Sequence, residues 1–228
     1  MLKHVFIPIH RAGWPFIGVA GLGAVLLSLL WGPLLWLGLL VTAFCIYFFR
    51  DPERVTPVRA GLVVSPADGL VSAVEPATPP AELGMGEGVR PRVSVFLSVF
   101  DVHINRVPAD GTISALAYRK GTFVNAALDK ASDENERQSV RMTMPDGRDI
   151  AFVQIAGLIA RRIVCDLVQG QGVRTGERFG LIRFGSRTDV YLPEGVVPLV
   201  VPGQRMVGGE TVIADLASTE DPRDGEVR

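Results

Sequence analysis

A β-hairpin is predicted by Gly61-Leu-Val-Val-Ser-Pro-Ala-Asp-Gly-Leu-Val-Ser-Ala-Val74, in which a Pro-Ala-Asp-Gly turn separates two runs of branched apolar residues. The same turn sequence returns at Pro108 to Gly111, again between β-rich segments. Branched and aromatic residues predict further strands outward from these turns. Those strands are expected at 92–100, 149–156, 179–184 and 195–201. The chain is therefore predicted to be β-rich.

Few helices are expected in this body. A polar and charged stretch, 129–139, is predicted to be a helix, with a loop as the alternative. The segments 64–74 and 201–214 resemble the hairpins of barrel-sandwich domains that carry biotin or lipoate. The predicted fold class is α+β and β-rich, with a barrel-sandwich-like β body preceded by an apolar helical hairpin.

The hairpin is predicted from a run of 38 residues, 12–49, that contains no Asp, Glu, Lys or Arg. As one helix this run would reach about 57 Å, nearly twice the roughly 30 Å hydrocarbon core of a bilayer. Gly32-Pro33 lies near the middle and favours a reversal. We expect two arms, Trp14 to Leu30 and Leu34 to Phe49.

Basic residues flank the apolar run on both sides, which favours a cytoplasmic location for both ends. They are Lys3, His4, His10 and Arg11 before the run, and Arg50, Arg54 and Arg59 after it. Residues 1–49 are thus expected to anchor a body, 50–228, on the cytoplasmic face of the cell membrane. Because each arm is shorter than the roughly 20 residues of a comfortable span, shallow insertion stays an alternative. A cleaved signal peptide and a hairpin buried in a soluble core fit the run less well.

Charge and cysteine content argue against nucleic-acid binding, a disulfide framework and a zinc site. Residues 50–228 contain 21 basic and 24 acidic residues, a net charge of −3 that does not indicate nucleic-acid binding. Cys45 lies in the apolar run and Cys165 in the body, so the sequence offers neither a disulfide framework nor a C-x-x-C zinc motif. No metal is expected.

Gly185–Ser186 is the pair with the most specific chemistry. Glycine leaves its carbonyl sterically open, and a serine hydroxyl held over that carbonyl can attack its own backbone to form an ester. An isolated Gly-Ser pair is more typical of a turn. Here apolar residues at 181–182 and 190–192 flank the pair, so we expect it to be embedded in strand structure.

Four further blocks of sequence are Tyr47-Phe-Phe-Arg-Asp-Pro-Glu-Arg54, Val64-Ser-Pro-Ala-Asp-Gly69, Phe96-Leu-Ser-Val-Phe-Asp-Val-His-Ile-Asn-Arg106 and Arg183-Phe-Gly-Ser-Arg-Thr-Asp-Val-Tyr-Leu-Pro193. In this order they resemble the short, prokaryotic type of phosphatidylserine decarboxylase. The resemblance implies a proenzyme that cuts itself between Gly185 and Ser186 into associated fragments, 1–185 and 186–228. Ser186 would become a pyruvoyl group that forms a Schiff base with membrane phosphatidylserine and releases phosphatidylethanolamine.

Two residues are expected to work with Ser186. His103 is the single histidine outside the N-terminal region, can exchange a proton near neutral pH, and matches the family's Asp-x-His motif. We expect it to protonate the product, with a structural histidine as the alternative. Asp68 matches an aspartate that serves self-cleavage in longer relatives. Its alternative is ordinary Asp-Gly turn chemistry, which Asp110 shares.

One position departs from the family pattern. Longer relatives carry a second histidine three residues after the first, where this chain has Arg106. His103 would then serve twice, or Asp68 would act directly while Arg106 tunes charge or holds the lipid phosphate. Arg183 and Arg187 flank the cleavage pair and are alternative phosphate ligands. Each of these arginines could instead be a solvated surface residue.

Two other functions fit the sequence less well. A membrane-anchored barrel-sandwich carrier or adaptor would need a modifiable lysine on an exposed turn, but the body has only Lys120 and Lys130, at neither expected turn. Pyruvoyl decarboxylases of soluble amino acids would have no use for an apolar hairpin. The sequence leaves open the lipid backbone and acyl preference and the oligomeric state, a homo-oligomer included.

Overall fold

The structure is a computed structural model that describes residues 7–121, 135–157, 162–183 and 185–227. The chain divides into two compact units. One consists of Met1–Glu53 with Phe100–Val102, and the other of Arg54–Val99 with His103–Arg228.

The first unit is a helical hairpin, as predicted. A short 3-10 helix, Arg11–Gly13, leads into α1, Trp14–Ser28, and α2 spans Leu34–Phe48. Pro33 caps α2, so the chain reverses at the expected Gly32-Pro33. The helices pack closely at Gly38, where an added Cβ would clash with the Cβ of Ala24.

The two ends of the hairpin lie side by side. Ile9 and Arg50 form an antiparallel bridge, and the Asp51 amide donates to the Pro8 carbonyl over 2.8 Å. Most large apolar side chains of α1 and α2 are exposed. Within the described residues, one helical stretch, Arg11–Ser28, is long and apolar enough to cross a membrane, whereas Leu34–Phe48 is shorter.

The second unit is built from strands. Its described residues contain thirteen strands, numbered in chain order: β1 Leu62–Val64, β2 Gly69–Ala77, β3 Arg90–Leu97, β4 Ile104–Arg106, β5 Gly111–Arg119, β6 Arg137–Thr143, β7 Asp149–Ala156, β8 Ile163–Cys165, β9 Gly172–Val173, β10 Arg178–Ile182, β11 Ser186–Tyr191, β12 Arg205–Met206 and β13 Val212–Asp215. A short 3-10 helix spans Ala81–Leu83.

Antiparallel pairing arranges these strands into three sheets. The largest has the order β12-β2-β3-β11-β7-β6-β5-β9, and smaller sheets have the orders β4-β10-β8 and β1-β13. Strand β11 lies in the interior of the large sheet, paired on both sides. The main core consists largely of buried branched and aromatic side chains, among them Val93, Val95, Phe152, Phe179 and Val190. The β-rich, barrel-sandwich-like prediction is confirmed.

The two hairpin-like segments of the sequence pair with each other. Strand β1 pairs with β13 in the two-stranded sheet, and β2 pairs with β12 at the edge of the large sheet. The Pro-Ala-Asp-Gly turns lie, as predicted, between β1 and β2 and between β4 and β5.

Two predictions of secondary structure were wrong. The segment 195–201 is not a strand, and Pro198 makes only an isolated bridge to Ala214, since proline lacks an amide proton for a ladder. The last residues of the predicted helix at 129–139 instead form the start of β6. In that strand Val140 and Met142 alternate with polar residues and enter the core. Residues 129–134 of that prediction lie outside the described part of the chain.

Candidate active site

Gly185 lies between β10 and β11 with φ +71°, in the left-handed region that favours glycine. The space around it is open, because an added Cβ would meet only a Val99 methyl at 3.9 Å. Backbone conformation, and not crowding, therefore requires glycine here. Ser186 begins β11 directly after this bend, so the serine of the predicted cleavage pair lies in a strand, and the glycine lies in the bend that precedes it.

Ser186 is held between two neighbouring strands. It lies opposite Leu97 of β3 and opposite Ala156 of β7, and its exposed fraction is 0%. Its Oγ atom is buried and has no hydrogen-bond partner among the described residues. Because this hydroxyl has no partner, its lone pairs are available for another interaction. Leaving a buried hydroxyl unsatisfied lowers the stability of a folded protein by about 1–3 kcal/mol.

His103 meets the cleavage pair through the backbone. It precedes β4, and β4 pairs with β10, the strand that leads into Gly185. The Gly185 amide donates a hydrogen bond to His103 Nε2 over 3.3 Å. Because Nε2 accepts, the imidazole in this arrangement is neutral, with its proton on Nδ1. The structure thus brings together two predicted site residues that are 82 positions apart.

Asp68 has a different set of partners. One oxygen of its carboxylate accepts from Arg54 Nη2 at 2.7 Å, and the other accepts from the Gly208 amide at 2.8 Å. Asp110, in the equivalent turn, accepts from the amide and hydroxyl of Thr175. The two aspartates therefore differ in their surroundings, because Asp68 forms an ion pair with Arg54 whereas Asp110 accepts from an uncharged residue.

Arg106 is almost fully buried. Its Nη1 donates to the Gly176 carbonyl over 2.8 Å, and its own amide donates to the Pro66 carbonyl. An added Cβ on Gly209 would lie 2.6 Å from Arg106 Cδ. Arg106 and Asp68 thus both contact the Gly208–Gly209 turn.

The two arginines that flank the cleavage pair have contrasting environments. Arg187 is 2% exposed and forms a two-point ion pair with Asp189, at 2.9 and 3.0 Å, on the face of β11 opposite to Ser186. Arg183 is partly exposed, and its amide donates to the Arg162 carbonyl over 3.2 Å. Burial and the nearby Arg162 guanidinium lower the pKa of Arg183.

Three buried polar residues near Ser186 were not singled out from the sequence. They are Asn105, Gln154 and Thr188, all at most 2% exposed. The Gln154 Nε2 group donates to Asn105 Oδ1 over 2.8 Å. Gln154 is one polar residue inside an otherwise apolar buried run of β7, and that interruption is the sequence signal that could have identified it.

Among the described residues, no group of three or more His, Cys, Asp or Glu side chains is arranged to hold a metal ion.

Comparison with known proteins gives a consistent result. The family model for phosphatidylserine decarboxylase matches residues 41–214. A relative named phosphatidylserine decarboxylase proenzyme, from Paramagnetospirillum magneticum, is 63% identical over 100% of this chain and 95% of its own length. Proteins of the same name from Cereibacter sphaeroides and Granulibacter bethesdensis are each 60% identical, covering 100% and 94% of this chain and 98% and 88% of the relatives.

Proposed function

Because the chain belongs to the phosphatidylserine decarboxylase family, we propose that it is a proenzyme that cuts itself between Gly185 and Ser186 and then converts phosphatidylserine to phosphatidylethanolamine. The observation that carries this proposal is the buried, unpartnered Ser186 hydroxyl directly after a glycine at φ +71°. Membership of a decarboxylase family also decides against the carrier or adaptor alternative.

Self-cleavage needs a hydroxyl, a strained or open carbonyl and a proton acceptor. Ser186 Oγ attacks the Gly185 carbonyl carbon, and the amide nitrogen leaves to give an ester. Loss of the Ser186 α-proton then breaks the ester, leaves Gly185 with a carboxylate, and makes residue 186 dehydroalanine. Water hydrolyses that residue to a ketone and releases ammonia, which generates an N-terminal pyruvoyl group.

His103 and Asp68 are the proposed proton carriers. The His103 contact with the Gly185 amide supports a role beside the scissile bond, and its neutral Nε2 can accept a proton. Asp68 is a carboxylate held by Arg54 and the Gly208 amide, an arrangement that keeps its position fixed. Arg106 is buried against the same turn. This position favours a structural role for Arg106 at the turn over binding of a lipid phosphate.

The residues around Ser186 fit a pyruvoyl group made from that serine, because its buried side chain has no competing hydrogen bond among the described residues. Such a group would supply a ketone able to condense with the head-group amine and to act as an electron sink for loss of carbon dioxide. His103 would hold the proton that the product carbon receives. Arg183, which is partly exposed, would bind the lipid phosphate, since Arg187 is buried in its pair with Asp189.

The two fragments should stay associated after cleavage. Strand β11, in the C-terminal fragment, pairs with β3 and β7, and β12 and β13 pair with β2 and β1. All four partner strands belong to the N-terminal fragment. The apolar hairpin would hold the enzyme at its lipid substrate, and the basic flanks of that hairpin favour the cytoplasmic face.

The test is turnover of phosphatidylserine by the purified full-length chain in mixed micelles, with the lipid product identified by mass spectrometry. Ser186→Ala should remain one uncut, inactive chain, and Ser186→Cys should cleave more slowly because a thiol can also make the acyl shift. Ser94→Ala is the matched control, since Ser94 is an equally buried serine in the neighbouring strand β3. It should cleave and turn over normally. Phosphatidylethanolamine formation by Ser186→Ala would refute the proposed function.

A further inference from the structure

Five side chains, His103, Asn105, Gln154, Ser186 and Thr188, form what we call the polar ring. Strand β11 presents Ser186 and Thr188 on one face, and Gln154 of β7 lies directly opposite Thr188. Gln154 donates to Asn105 of β4, and His103 lies two residues before Asn105 in the chain. The hydrogen bond from the Gly185 amide to His103 closes the ring beside Ser186.

The polar ring contains more hydrogen-bonding capacity than it uses. Four of its atoms are buried without a hydrogen-bond partner among the residues that the structure describes: Asn105 Nδ2, Gln154 Oε1, Ser186 Oγ and Thr188 Oγ1. Isolated polar atoms of this kind are uncommon inside proteins, because each loses its bonds to water on folding. Four on neighbouring residues are typical of a site that a polar ligand completes.

The unpaired atoms define what that ligand must offer. Asn105 Nδ2 can only donate, the Thr188 hydroxyl can donate or accept, and Gln154 Oε1 can only accept. A carboxylate satisfies the donors and an amine satisfies the acceptor. An α-amino acid group carries both within a few bonds, whereas a phosphodiester offers acceptors alone.

We propose that the polar ring binds the amino-acid end of the lipid head group, with Asn105 Nδ2 and Thr188 Oγ1 donating to its carboxylate and Gln154 Oε1 accepting from its amine. This assignment rests on the proposed function and names the subsite that selects a serine head group. Gln154 is a positioning residue as well. Its hydrogen bond holds Asn105 Oδ1 towards Gln154, so the Asn105 amino group points away from Gln154.

Neutral donors suit a carboxylate that must leave. A hydrogen bond from a charged guanidinium is roughly twice as strong as one from an amide, and it would stabilise the bound carboxylate more than the transition state in which its charge disappears. The polar ring contains no Arg or Lys. Amide and hydroxyl donors can therefore orient the carboxylate without strongly opposing its loss as carbon dioxide.

The experiment compares substrate and product binding by the processed full-length enzyme in mixed micelles. Asn105→Leu should raise the KM for phosphatidylserine about tenfold, the expected effect of losing one hydrogen bond to a charged group. It should leave the inhibition constant of phosphatidylethanolamine unchanged, because that lipid lacks the carboxylate. Thr188→Val should act in the same direction. Asn135→Leu is the matched control, since Asn135 is equally buried but donates to the Ala156 carbonyl, and its KM should stay at the wild-type value.

Three results would overturn the assignment. Equal weakening of substrate and product would mean that the polar ring does not recognise the carboxylate. Unchanged KM values in both ring variants would mean that water alone completes the ring. Failure of both variants to release a C-terminal fragment would assign the ring to maturation. A wild-type chain that makes no phosphatidylethanolamine would instead refute the proposed function, which separates the two failures.

Discussion

The conformation of Gly185 can be tested apart from its size. Its φ of +71° is strained for any residue with a Cβ, at a cost of about 1–2 kcal/mol, yet the space around it is open. Gly185→Ala should therefore fold but cleave at least several-fold more slowly, as the carbonyl loses its alignment with Ser186. The measurement is the rate of fragment release on denaturing gels.

Gly147→Ala is the control for this prediction. Gly147 has φ +84° in the β6–β7 turn, also with open space, so its alanine variant carries a similar backbone strain. It should lose stability without any change in cleavage rate. Equal slowing of both variants would mean that strain acts through global stability and not through the scissile bond.

Asp68 and Asp110 allow a comparison within one turn sequence. Asp68→Asn keeps the shape but removes the charge that pairs with Arg54, and it should block or greatly slow self-cleavage if this carboxylate moves protons. Asp110→Asn should leave cleavage normal, because its partner is the uncharged Thr175. Time courses of cleavage during refolding from urea would distinguish them. Normal processing of Asp68→Asn would reduce Asp68 to a turn residue.

Individual site residues were identifiable from sequence to unequal degrees. Ser186 has a local signature, and its place at the start of a strand followed from its apolar neighbours. The contact between His103 and Gly185 had no such signal, because strand pairing between β4 and β10 creates it. The sequence also did not predict that Arg187 is buried in an ion pair with Asp189. Alternation along a strand shows which residues share a face, but which face is buried depends on what packs against the strand.

The helical hairpin depends on close packing at one glycine. Gly38→Leu would collide with Ala24 and push α1 and α2 apart, at a cost of about 1–3 kcal/mol for overpacking. Gly23→Leu is the control, because nothing lies within 4 Å of an added Cβ there. We expect Gly38→Leu alone to increase protease cleavage between the helices in detergent. Equal protection of both variants would contradict the hairpin packing.

Strand β11 also predicts a dependence of stability on alkaline pH. Burial, followed by the charge of Asp189, raises the pKa of Tyr191 to about 12, above its unfolded value of about 10. The protonated phenol is therefore favoured in the folded state, so this contribution is complete below pH 10 and is lost as pH rises towards 12. Urea unfolding should show a loss of about 1 kcal/mol between pH 9 and pH 11 from this group.

Tyr191→Phe should remove that part of the pH dependence. Tyr118→Phe is the comparison, because burial and the Glu136 carboxylate also raise the pKa of the Tyr118 phenol, but this side chain is exposed and solvent screens the effect. It should therefore remove less of the slope than Tyr191→Phe does. A wild-type slope in Tyr191→Phe would show that other groups control alkaline unfolding.

Elements were predictable where their pattern was local. The β1–β2 hairpin, β7 and the apolar helices follow directly from turn residues, branched runs and the uncharged segment. The strand prediction for segment 195–201 was wrong because it rested on the high strand propensity of the valines. Pro198 has no amide proton to donate to a neighbouring strand, and it makes only an isolated bridge. The polar start of β6 misled because half of its residues face away from the core.

At the scale of the molecule, the proposed cleavage site would divide the chain without separating its sheets. The C-terminal fragment contributes β11 to the interior of the large sheet and β13 to the β1 pair. The pairings of residues 187–191, β12 and β13 with the N-terminal fragment do not use the atoms of the 185–186 bond, so cutting that bond would leave them in place. No local pattern could predict this arrangement, because it arises from pairing between residues 89 to 153 positions apart.

The central claim is that the chain cuts itself and converts Ser186 into a carbonyl group. Its most direct test is the intact mass, under denaturing conditions, of active full-length protein made by protease-free cell-free translation with detergent. We predict two fragments, 1–185 and 186–228, with the second lighter by one ammonia than a fragment beginning with serine, and resistant to Edman degradation. Active protein found as a single intact chain of 228 residues would contradict the account.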